Sequence, residues 1–186
     1  LKGDKDGKVV GITFDDGYQN ILINAAPILK KYNFSATCYL VNESIGTSNT
    51  WDLNKKITQR PLMTENEINE WLSLGMDIGG HTQTHVDLTS VSEQRVQNEI
   101  YDSKVALEEK FKVNISDFCY PFGRFNDLAC NIAKKSGYLS ATTMIRGRAD
   151  SKSNMFQLPR IPINHHTLPH LFLAKILTKY EDRRSR

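Results

Sequence analysis

Residues 8–17 read KVVGITFDDG, and this stretch decides the class of fold. Its first seven residues are mostly apolar and β-branched, which predicts a short buried strand. The strand ends abruptly in Asp15-Asp16-Gly17, a polar turn in which glycine permits a sharp reversal of the chain. In α/β folds the functional groups gather at this carboxyl end of the strands.

The alternation of strand and helix continues outward from this stretch to the end of the chain. Apolar residues at helical spacing follow at 24–32. Further predicted strands cover residues 35–41, 76–80, 115–120, 138–144 and about 157–163, and further predicted helices cover about 64–75, 92–112, 127–136 and 169–179. Strands separated by helices pair in parallel, so the sequence predicts an α/β fold with a mostly parallel sheet, open or closed into a barrel. Residues 42–61 lack periodicity and predict a long surface loop.

Length and composition indicate one globular domain. The chain has 186 residues, of which 39% are hydrophobic and 24% charged, and this is enough for one sizeable core. The net charge of +3 is too small for a nucleic-acid-binding surface, and the longest apolar stretches are too short to span a membrane.

No signal-peptide pattern opens the sequence, and a start at Leu1 rather than Met indicates a processed or excised piece of a longer protein. The last six residues, 181–186, read EDRRSR and predict a charged, flexible tail.

Asp15 and Asp16 are the first candidates for chemistry. In the turn after a strand two neighbouring carboxylates can reach one pocket, whereas on an extended strand they would point in opposite directions. The alternative is that one of them caps the next helix, because an Asp after a strand often accepts hydrogen bonds from helical N–H groups. The dipeptide alone slightly favours the cap.

The segment HTQTH, from His81 to His85, is the second candidate and follows the predicted strand 76–80. Two histidines four residues apart can converge on one metal ion. The alternative is that one histidine only hydrogen-bonds a loop. Combined with the two carboxylates, the histidines form a coherent site in which three side chains hold a metal and one carboxylate stays free as a general base. This arrangement predicts hydrolysis of an amide or an ester.

At these residues the sequence resembles the polysaccharide deacetylase family, also called the NodB-homology or carbohydrate esterase family 4 domain. The motifs that carry the resemblance are TFDDG (13–17) and HTQTH (81–85), and the likeness extends from about residue 9 to about residue 170. It implies a distorted (β/α)7 barrel that forms a catalytic domain over residues 1–180, and removal of N- or O-acetyl groups from sugars. By this resemblance Asp15 is the base, and Asp16, His81 and His85 bind Zn2+ or another divalent ion such as Co2+, Ni2+ or Mn2+.

The third motif departs from the family pattern. Residues 118–123 read FCYPFG where the family commonly has Arg-Pro-Pro-Tyr-Gly, so Cys119 replaces an arginine that tethers the catalytic carboxylate in the family. The form YPFGRFN is similar to the branch that contains deacetylases of exported poly-N-acetylglucosamine. Arg160 could supply the missing charge from the late strand, or it could be an ordinary salt-bridged arginine at a strand end. The backbone N–H of Tyr120 is a candidate oxyanion donor. Three residues are candidates for shaping the substrate groove: Pro121, Phe122 and Gly123.

The fourth motif of the family is Leu-x-His, whose histidine protonates the leaving amine. His165 lies just past an apolar strand and is the first choice for this general acid. His166 and His170 are the alternatives, and a purely structural role is as open for each of the three. Three aromatic residues could stack on sugar faces or simply pack: Tyr18, Trp51 and Phe125. The three cysteines lack paired spacing and predict reduced thiols.

The sequence leaves three functions open. The first is an active metal-dependent deacetylase whose partner is an acetylated glycan or amino sugar, and the resemblance favours an extracytoplasmic or cell-envelope location for it. The second is a carbohydrate-binding domain that has kept the fold and lost turnover, motivated by the missing third-motif arginine. The third is an amidase acting on small nitrogen compounds. The intact pair of carboxylates favours the first function.

Overall fold

A curved parallel sheet forms the centre of the molecule. The computed structural model describes residues 9–55 and 57–184, and these residues form six strands that each pair in parallel with the next along the chain. The strands are β1 (Thr13–Phe14), β2 (Thr37–Leu40), β3 (Asp77–Gly80), β4 (Asp117–Cys119), β5 (Ser140–Arg146) and β6 (Leu158–Arg160). The predicted α/β fold with a parallel sheet is confirmed. The described residues give six strands curled into a half-barrel, where the resemblance implied seven.

Helices connect the first five strands, and one more helix follows β6. They are α1 (Ala26–Lys31), α2 (Glu65–Ser73), α3 (Glu93–Gln97), α4 (Ser103–Phe111), α5 (Asp127–Lys135) and α6 (Pro169–Leu177). Two five-residue π-helical turns, Ile21–Ala25 and Asn98–Asp102, lead directly into α1 and α4. The predicted helix over 92–112 is therefore continuous along the chain but is widened in its middle. In the part of the chain that the structure describes, every helix is too short or too polar to cross a membrane.

The predicted start of α2 is confirmed by a capping box. The Thr64 side chain accepts a hydrogen bond from the N–H of Glu67 (3.3 Å), and the Glu67 carboxylate accepts one from the N–H of Thr64 (2.8 Å). Near the other end of α2, the indole of buried Trp71 donates to the carbonyl oxygen of Asp77 at 2.8 Å. This bond fixes α2 against the start of β3, the strand that leads to the histidine segment.

The sheet curls so that its two edges approach each other. β1 and β6 stand at opposite ends of the strand order, yet the guanidinium of Arg160 on β6 donates to Oγ1 of Thr13 on β1 at 3.2 Å. Residues at the carboxyl ends of non-adjacent strands can therefore meet at one place. β1 itself is shorter than the predicted strand over 8–14, because β2 begins only opposite Thr13. Val9 and Val10 are exposed, and residue 8 lies outside the described residues.

The loop predicted over 42–61 is irregular but well anchored. It contains two short 3₁₀ turns, Asn42–Ser44 and Thr50–Lys55, and residue 56 lies outside the described residues. Asn49 is 1% exposed; its side chain donates to Asp52 (3.1 Å) and accepts from the N–H of Arg60 (2.7 Å). These bonds hold the second turn, and with it Trp51, in one position.

The prediction of a flexible tail after residue 180 is wrong for the residues that the structure describes. Glu181 is fully buried and pairs with Arg146 on β5 (2.7 Å) and Lys175 on α6 (2.8 Å). Asp182 pairs with Arg148 at 2.7 Å. The two acidic residues of the predicted tail therefore have partners elsewhere in the fold, whereas Arg183 and Arg184 are exposed. Residues 185–186 lie outside the described part of the chain.

Candidate active site

The turn after β1 directs its two carboxylates to different partners. Asp16 and Gly17 both have left-handed backbone conformations, with φ of 75° and 82°, which few residues other than glycine adopt at low cost. A Cβ atom at Gly17 would approach Leu40 to 3.0 Å. The alternative role as a helix cap is wrong, because the π-helical turn that follows begins after Asn20 and has no side-chain cap.

Asp16, His81 and His85 form one compact cluster. Oδ1 of Asp16 lies 3.3 Å from Nε2 of His81 and 3.2 Å from Nε2 of His85. Ligands about 2.0–2.2 Å from a tetrahedral ion stand roughly 3.3–3.6 Å apart, so these separations fit one small divalent ion. The three residues predicted as metal ligands are therefore brought together, and their chemistry fits the group that the resemblance implies.

The two histidines are buried and oriented by their surroundings. Nδ1 of His81 donates to the carbonyl oxygen of Cys119 at 2.6 Å, which leaves Nε2 free to bind a cation. The His85 ring lies between Trp51, at 4.3 Å between ring centroids, and Phe122, at 4.6 Å. Burial lowers the pKa of His85 and favours the neutral imidazole that a metal requires.

Asp15 is held by Arg160, which replaces the missing third-motif arginine in space. The guanidinium binds both carboxylate oxygens of Asp15, at 2.6 and 2.7 Å, and its Nε donates to the carbonyl oxygen of Thr143 at 2.9 Å. Burial alone would raise the pKa of Asp15, but the hydrogen bonds and the charge of Arg160 outweigh burial and hold that pKa below its ordinary value. The carboxylate is therefore ionised and fixed in direction, as expected if Arg160 supplies the charge that the third motif lacks; its role in the site stays a prediction.

A second set of potential ligands lies beside the first. Asp15, His81 and Cys119 also place one ligand atom each within 4.8 Å of the others. The Asp15 carboxylate is already neutralised by Arg160, and Nη2 of that guanidinium, which binds Oδ2 of Asp15, also donates to Sγ of Cys119 at 3.4 Å. This positive charge opposes a cation there, so Asp16, His81 and His85 are the better ligand set.

The third motif contributes to the site through its aromatic residue at 122. The prediction that the N–H of Tyr120 binds an oxyanion is wrong, because this N–H donates to the carbonyl oxygen of Thr142 at 3.2 Å. The Tyr120 side chain is buried and donates to the carbonyl oxygen of Phe156 at 3.0 Å. Phe122 instead lies against His85 and is 37% exposed.

Pro121 and Gly123 give Phe122 its position. Pro121 is buried, and both Phe122 and Gly123 have left-handed backbone conformations. A Cβ atom at Gly123 would lie 2.5 Å from Cβ of Met144, so only glycine fits there. The backbone around Phe122 is thus constrained on both sides.

The candidate general acids lie at the surface. His165, His166 and His170 are exposed, and the rings of His165 and His166 stack with centroids 3.7 Å apart. Within residues 9–55 and 57–184, no hydrogen bond or ion pair joins His165 to the ligand cluster. Its assignment as the general acid stays a prediction.

The aromatic candidates take three different positions. Trp51 stacks on His85, and Phe125 packs on Tyr120 with ring centroids 5.3 Å apart. Tyr18 lies near the metal ligands: burial first, and then the charges of Asp16 and Asp52, raise the pKa of Tyr18 to about 12. Trp51 and Tyr18 therefore border the site, whereas Phe125 belongs to the packing behind it.

Glu99 is a residue of the site that the sequence interpretation missed. Its carboxylate is 1% exposed and accepts hydrogen bonds from the histidine segment. The signal that could have identified it is an acidic residue on the apolar face of a helix, between Val96 and Ile100 and one turn before Ser103.

Comparisons with known proteins indicate one family. Residues 2–141 match the family model for polysaccharide deacetylases. YxkH of Bacillus subtilis (strain 168) is 32% identical over 157 residues, which are 84% of this chain and 52% of that protein. The poly-beta-1,6-N-acetyl-D-glucosamine N-deacetylase of Staphylococcus aureus (strain MRSA252) is 27% identical over 179 residues, 91% of this chain and 59% of that protein. The chain thus spans little more than half the length of these two relatives.

A solved structure shows the same fold. The Streptococcus pyogenes deacetylase PplD, in complex with acetate, superposes with a TM-score of 0.79 at 29% identity, and the match covers 92% of this chain and 71% of that one.

Proposed function

Since the chain belongs to the polysaccharide deacetylase family, we propose that it is a metal-dependent hydrolase that removes acetyl groups from N-acetylated sugars of a glycan. The observation that carries the proposal is the pairing of two units: the ligand cluster of Asp16, His81 and His85, and the adjacent base Asp15 held by Arg160. Each unit alone occurs in proteins of many functions. Together they provide a cation position beside an ionised, oriented carboxylate, which is what the hydrolysis of an amide needs.

Asp16, His81 and His85 would hold Zn2+ or another divalent ion such as Co2+, Ni2+ or Mn2+. When bound, such an ion lowers the pKa of a water molecule and polarises a carbonyl oxygen. The ionised Asp16 and the neutral His85, whose pKa burial lowers, are in the protonation states that metal binding requires. Although burial opposes it, contacts with Cys119 and Asp16 raise the pKa of His81, so an ion bound there would displace a proton from His81. Burial alone would raise the pKa of Asp16, but its contacts with His81 and His85 outweigh burial and hold that pKa low.

Asp15 acts as the general base in this proposal. It takes a proton from the water whose oxygen attacks the acetyl carbonyl carbon, and Arg160 keeps its carboxylate ionised and fixed in orientation. The carbon–nitrogen bond then breaks, acetate leaves, and the sugar nitrogen needs one proton to depart as an amine. His165 is our proposed source of that proton, because it follows β6, the strand that carries Arg160.

The substrate class follows from the relatives and from the rim of the site. The Staphylococcus aureus relative is named for the N-deacetylation of poly-β-1,6-N-acetyl-D-glucosamine, and PplD was solved with acetate, the product of such a reaction. We propose a polymer or oligomer of N-acetylglucosamine in an extracytoplasmic or cell-envelope setting, with O-acetylated sugars as the secondary substrate. Trp51 and Phe122 provide apolar surfaces beside the ligands, and Pro121 and Gly123 hold Phe122 in place.

Acetate release tests the proposal directly. The purified chain is incubated with β-1,6- and β-1,4-linked N-acetylglucosamine oligomers, before and after chelation and after the return of Zn2+ or Co2+. We expect acetate release that chelation abolishes and the metal restores. Asp16→Ala should lose this activity, whereas Asp102→Asn, which changes an exposed acidic residue on the widened helix, should keep it. Release that is insensitive to the chelator and to Asp16→Ala would disprove the metal-dependent mechanism.

The same experiment separates the two other functions. Glycan binding without acetate release, across all metals and substrates, would indicate a binding domain. Release of ammonia or an acid from small amides, but not of acetate from oligomers, would indicate an amidase. The ion pair between Arg160 and Asp15 argues against the binding-domain alternative. That alternative was motivated by the missing third-motif arginine, and Arg160 supplies a positive charge in its place.

A further inference from the structure

Glu99 sits beneath the segment that carries the two histidine ligands. Its carboxylate is 1% exposed, although it lies on the helix face that also buries Val96 and Ile100. A buried carboxylate is costly unless hydrogen-bond donors surround it. The position of its donors therefore indicates why an acid occupies an otherwise apolar face.

Four hydrogen-bond donors converge on this carboxylate, and three belong to the histidine segment. Oε2 accepts from the backbone N–H groups of Gln83 and Thr84, both at 2.9 Å. Oε1 accepts from the Thr84 hydroxyl at 2.6 Å and from the guanidinium of Arg95 at 2.7 Å. Both oxygens are thus occupied, and both hold the middle of the segment from His81 to His85.

The segment needs such an anchor because its backbone is strained. Thr82 and His85 have φ of 69° and 59°, a region that residues with a side chain adopt only when the surrounding structure enforces it. The N–H of His85 donates to Oγ1 of Thr82 at 3.0 Å, which closes the turn internally. On the opposite side, the carbonyl oxygens of Thr82 and Gln83 accept from the N–H groups of Asn42 and Glu43.

We propose that Glu99 is a positioning residue of the metal centre: by binding Gln83 and Thr84 it holds the strained turn that keeps His81 and His85 at ligand distance from Asp16. The inference rests on the proposed function, because it assigns Glu99 a role toward a metal held by those three residues. The five-residue π-helical turn Asn98–Asp102 places the carboxylate under the segment. Such widened turns recur at functional sites in helices.

The test measures Zn2+ affinity, with no substrate present, by competition against a chromophoric chelator. Loss of an outer hydrogen-bonding partner typically weakens metal binding about 10- to 100-fold, and we expect a loss in this range for Glu99→Gln, which keeps the size of the side chain. Glu108→Gln is the matched control. Glu108 also accepts from a backbone N–H, that of Ile115 at 2.9 Å, and from a lysine, but it does not touch the histidine segment, so its loss should leave Zn2+ affinity within twofold of wild type.

A second variant covers the case in which Glu99→Gln does not fold. Thr84→Val removes only the hydroxyl that Glu99 binds, so it should weaken Zn2+ binding in the same direction by a smaller factor. Unchanged affinity in a folded Glu99→Gln or in Thr84→Val, or an equal loss in Glu108→Gln, would overturn the role of Glu99.

A ligand variant separates this inference from the proposed function. His85→Ala removes a ligand and should abolish tight Zn2+ binding. If His85→Ala weakens binding and Glu99→Gln does not, the metal centre stands and only the Glu99 inference fails. If His85→Ala binds Zn2+ as tightly as wild type, the metal centre itself is refuted.

Discussion

Replacing Arg160 with methionine removes the charge that holds Asp15, together with the hydrogen bonds of the guanidinium to Thr143 and Thr13, and keeps an unbranched side chain. The pair is bidentate, at 2.6 and 2.7 Å, with side chains that are 20% and 32% exposed. Breaking a buried ion pair costs about 3–5 kcal/mol, and an exposed pair contributes about 0–1 kcal/mol. The partial exposure places this pair between the two, so we expect Arg160→Met to lower the free energy of unfolding by about 2–3 kcal/mol at neutral pH.

The same substitution should change the pH dependence of catalysis. Burial raises the pKa of Asp15 and Arg160 opposes it, so removing Arg160 raises that pKa. A base with a higher pKa is protonated over a wider acidic range, and the acid limb of kcat/KM should therefore move to higher pH. A general base contributes about 10²–10⁴ in rate, and a base that is still present but misdirected should lose about 10² of kcat/KM at neutral pH.

The assay is acetate release from an N-acetylglucosamine oligomer between pH 4 and pH 9, with urea unfolding at pH 7. Arg124→Met is the matched control, because Arg124 also pairs with an aspartate, Asp87, but through a side chain that is 66% exposed. This control should change stability by less than about 1 kcal/mol and leave the pH profile unchanged. An Arg160→Met protein with the wild-type acid limb and near wild-type kcat/KM would refute the reasoning, whatever its stability.

Three further substitutions test the fold around the site. Glu181→Gln leaves Lys175 buried without its carboxylate, and urea unfolding at pH 7 should show a loss of about 2–4 kcal/mol. Burial would raise the pKa of Glu181, but Arg146 and Lys175 hold it below its ordinary value. The ionised Glu181 therefore stabilises the fold fully above its ordinary pKa, and this stabilisation is lost as the pH falls through the lower pKa of the folded state. A difference in the free energy of unfolding between wild type and Glu181→Gln that does not narrow below about pH 4 would contradict this. Gly123→Ala should lower the free energy of unfolding by at least about 1–3 kcal/mol and reduce acetate release, because the added Cβ would overlap Met144. Gly11→Ala is the control: its Cβ would meet no atom within 4 Å, so its melting temperature should equal that of wild type. Cys119→Arg brings a second guanidinium next to that of Arg160 and should lower both the melting temperature and activity, and a fully active Cys119→Arg would show that the space beside Asp15 is larger than the structure indicates.

The parts of the site that could be predicted from sequence are those encoded by short segments at the ends of strands. The pair Asp15 and Asp16 and the pair His81 and His85 each fall within five residues, directly after β1 and β3. The parallel order of strands then brings the two segments to one edge of the sheet. Local pattern and fold class together were enough to predict that these side chains meet, and Asp16 lies 3.3 and 3.2 Å from His81 and His85.

The errors arise where long-range contacts decide the outcome. The N–H of Tyr120 was a candidate oxyanion donor, but it donates to the carbonyl oxygen of Thr142 on β5. Glu181 looked solvated because a run of charges at a chain end usually is, but its partners Arg146 and Lys175 bury it. In both cases the deciding partner lies on another element, and neither periodicity nor composition identifies it.

Arg160 shows how a chemical requirement can be met from another place in the chain. The ends of β4 and β6 both reach the region beside Asp15, so a positive charge can arrive there from either strand. The two positions exclude each other, because the Arg160 guanidinium lies 3.4 Å from Sγ of Cys119, and a long side chain at 119 would occupy the same space. A small residue at 119 is therefore a condition for an arginine at 160. The third motif lacks the arginine that would pair with the proposed base Asp15, but Arg160 supplies a positive charge at that place. The cysteine in the third motif is therefore no evidence against the proposed activity.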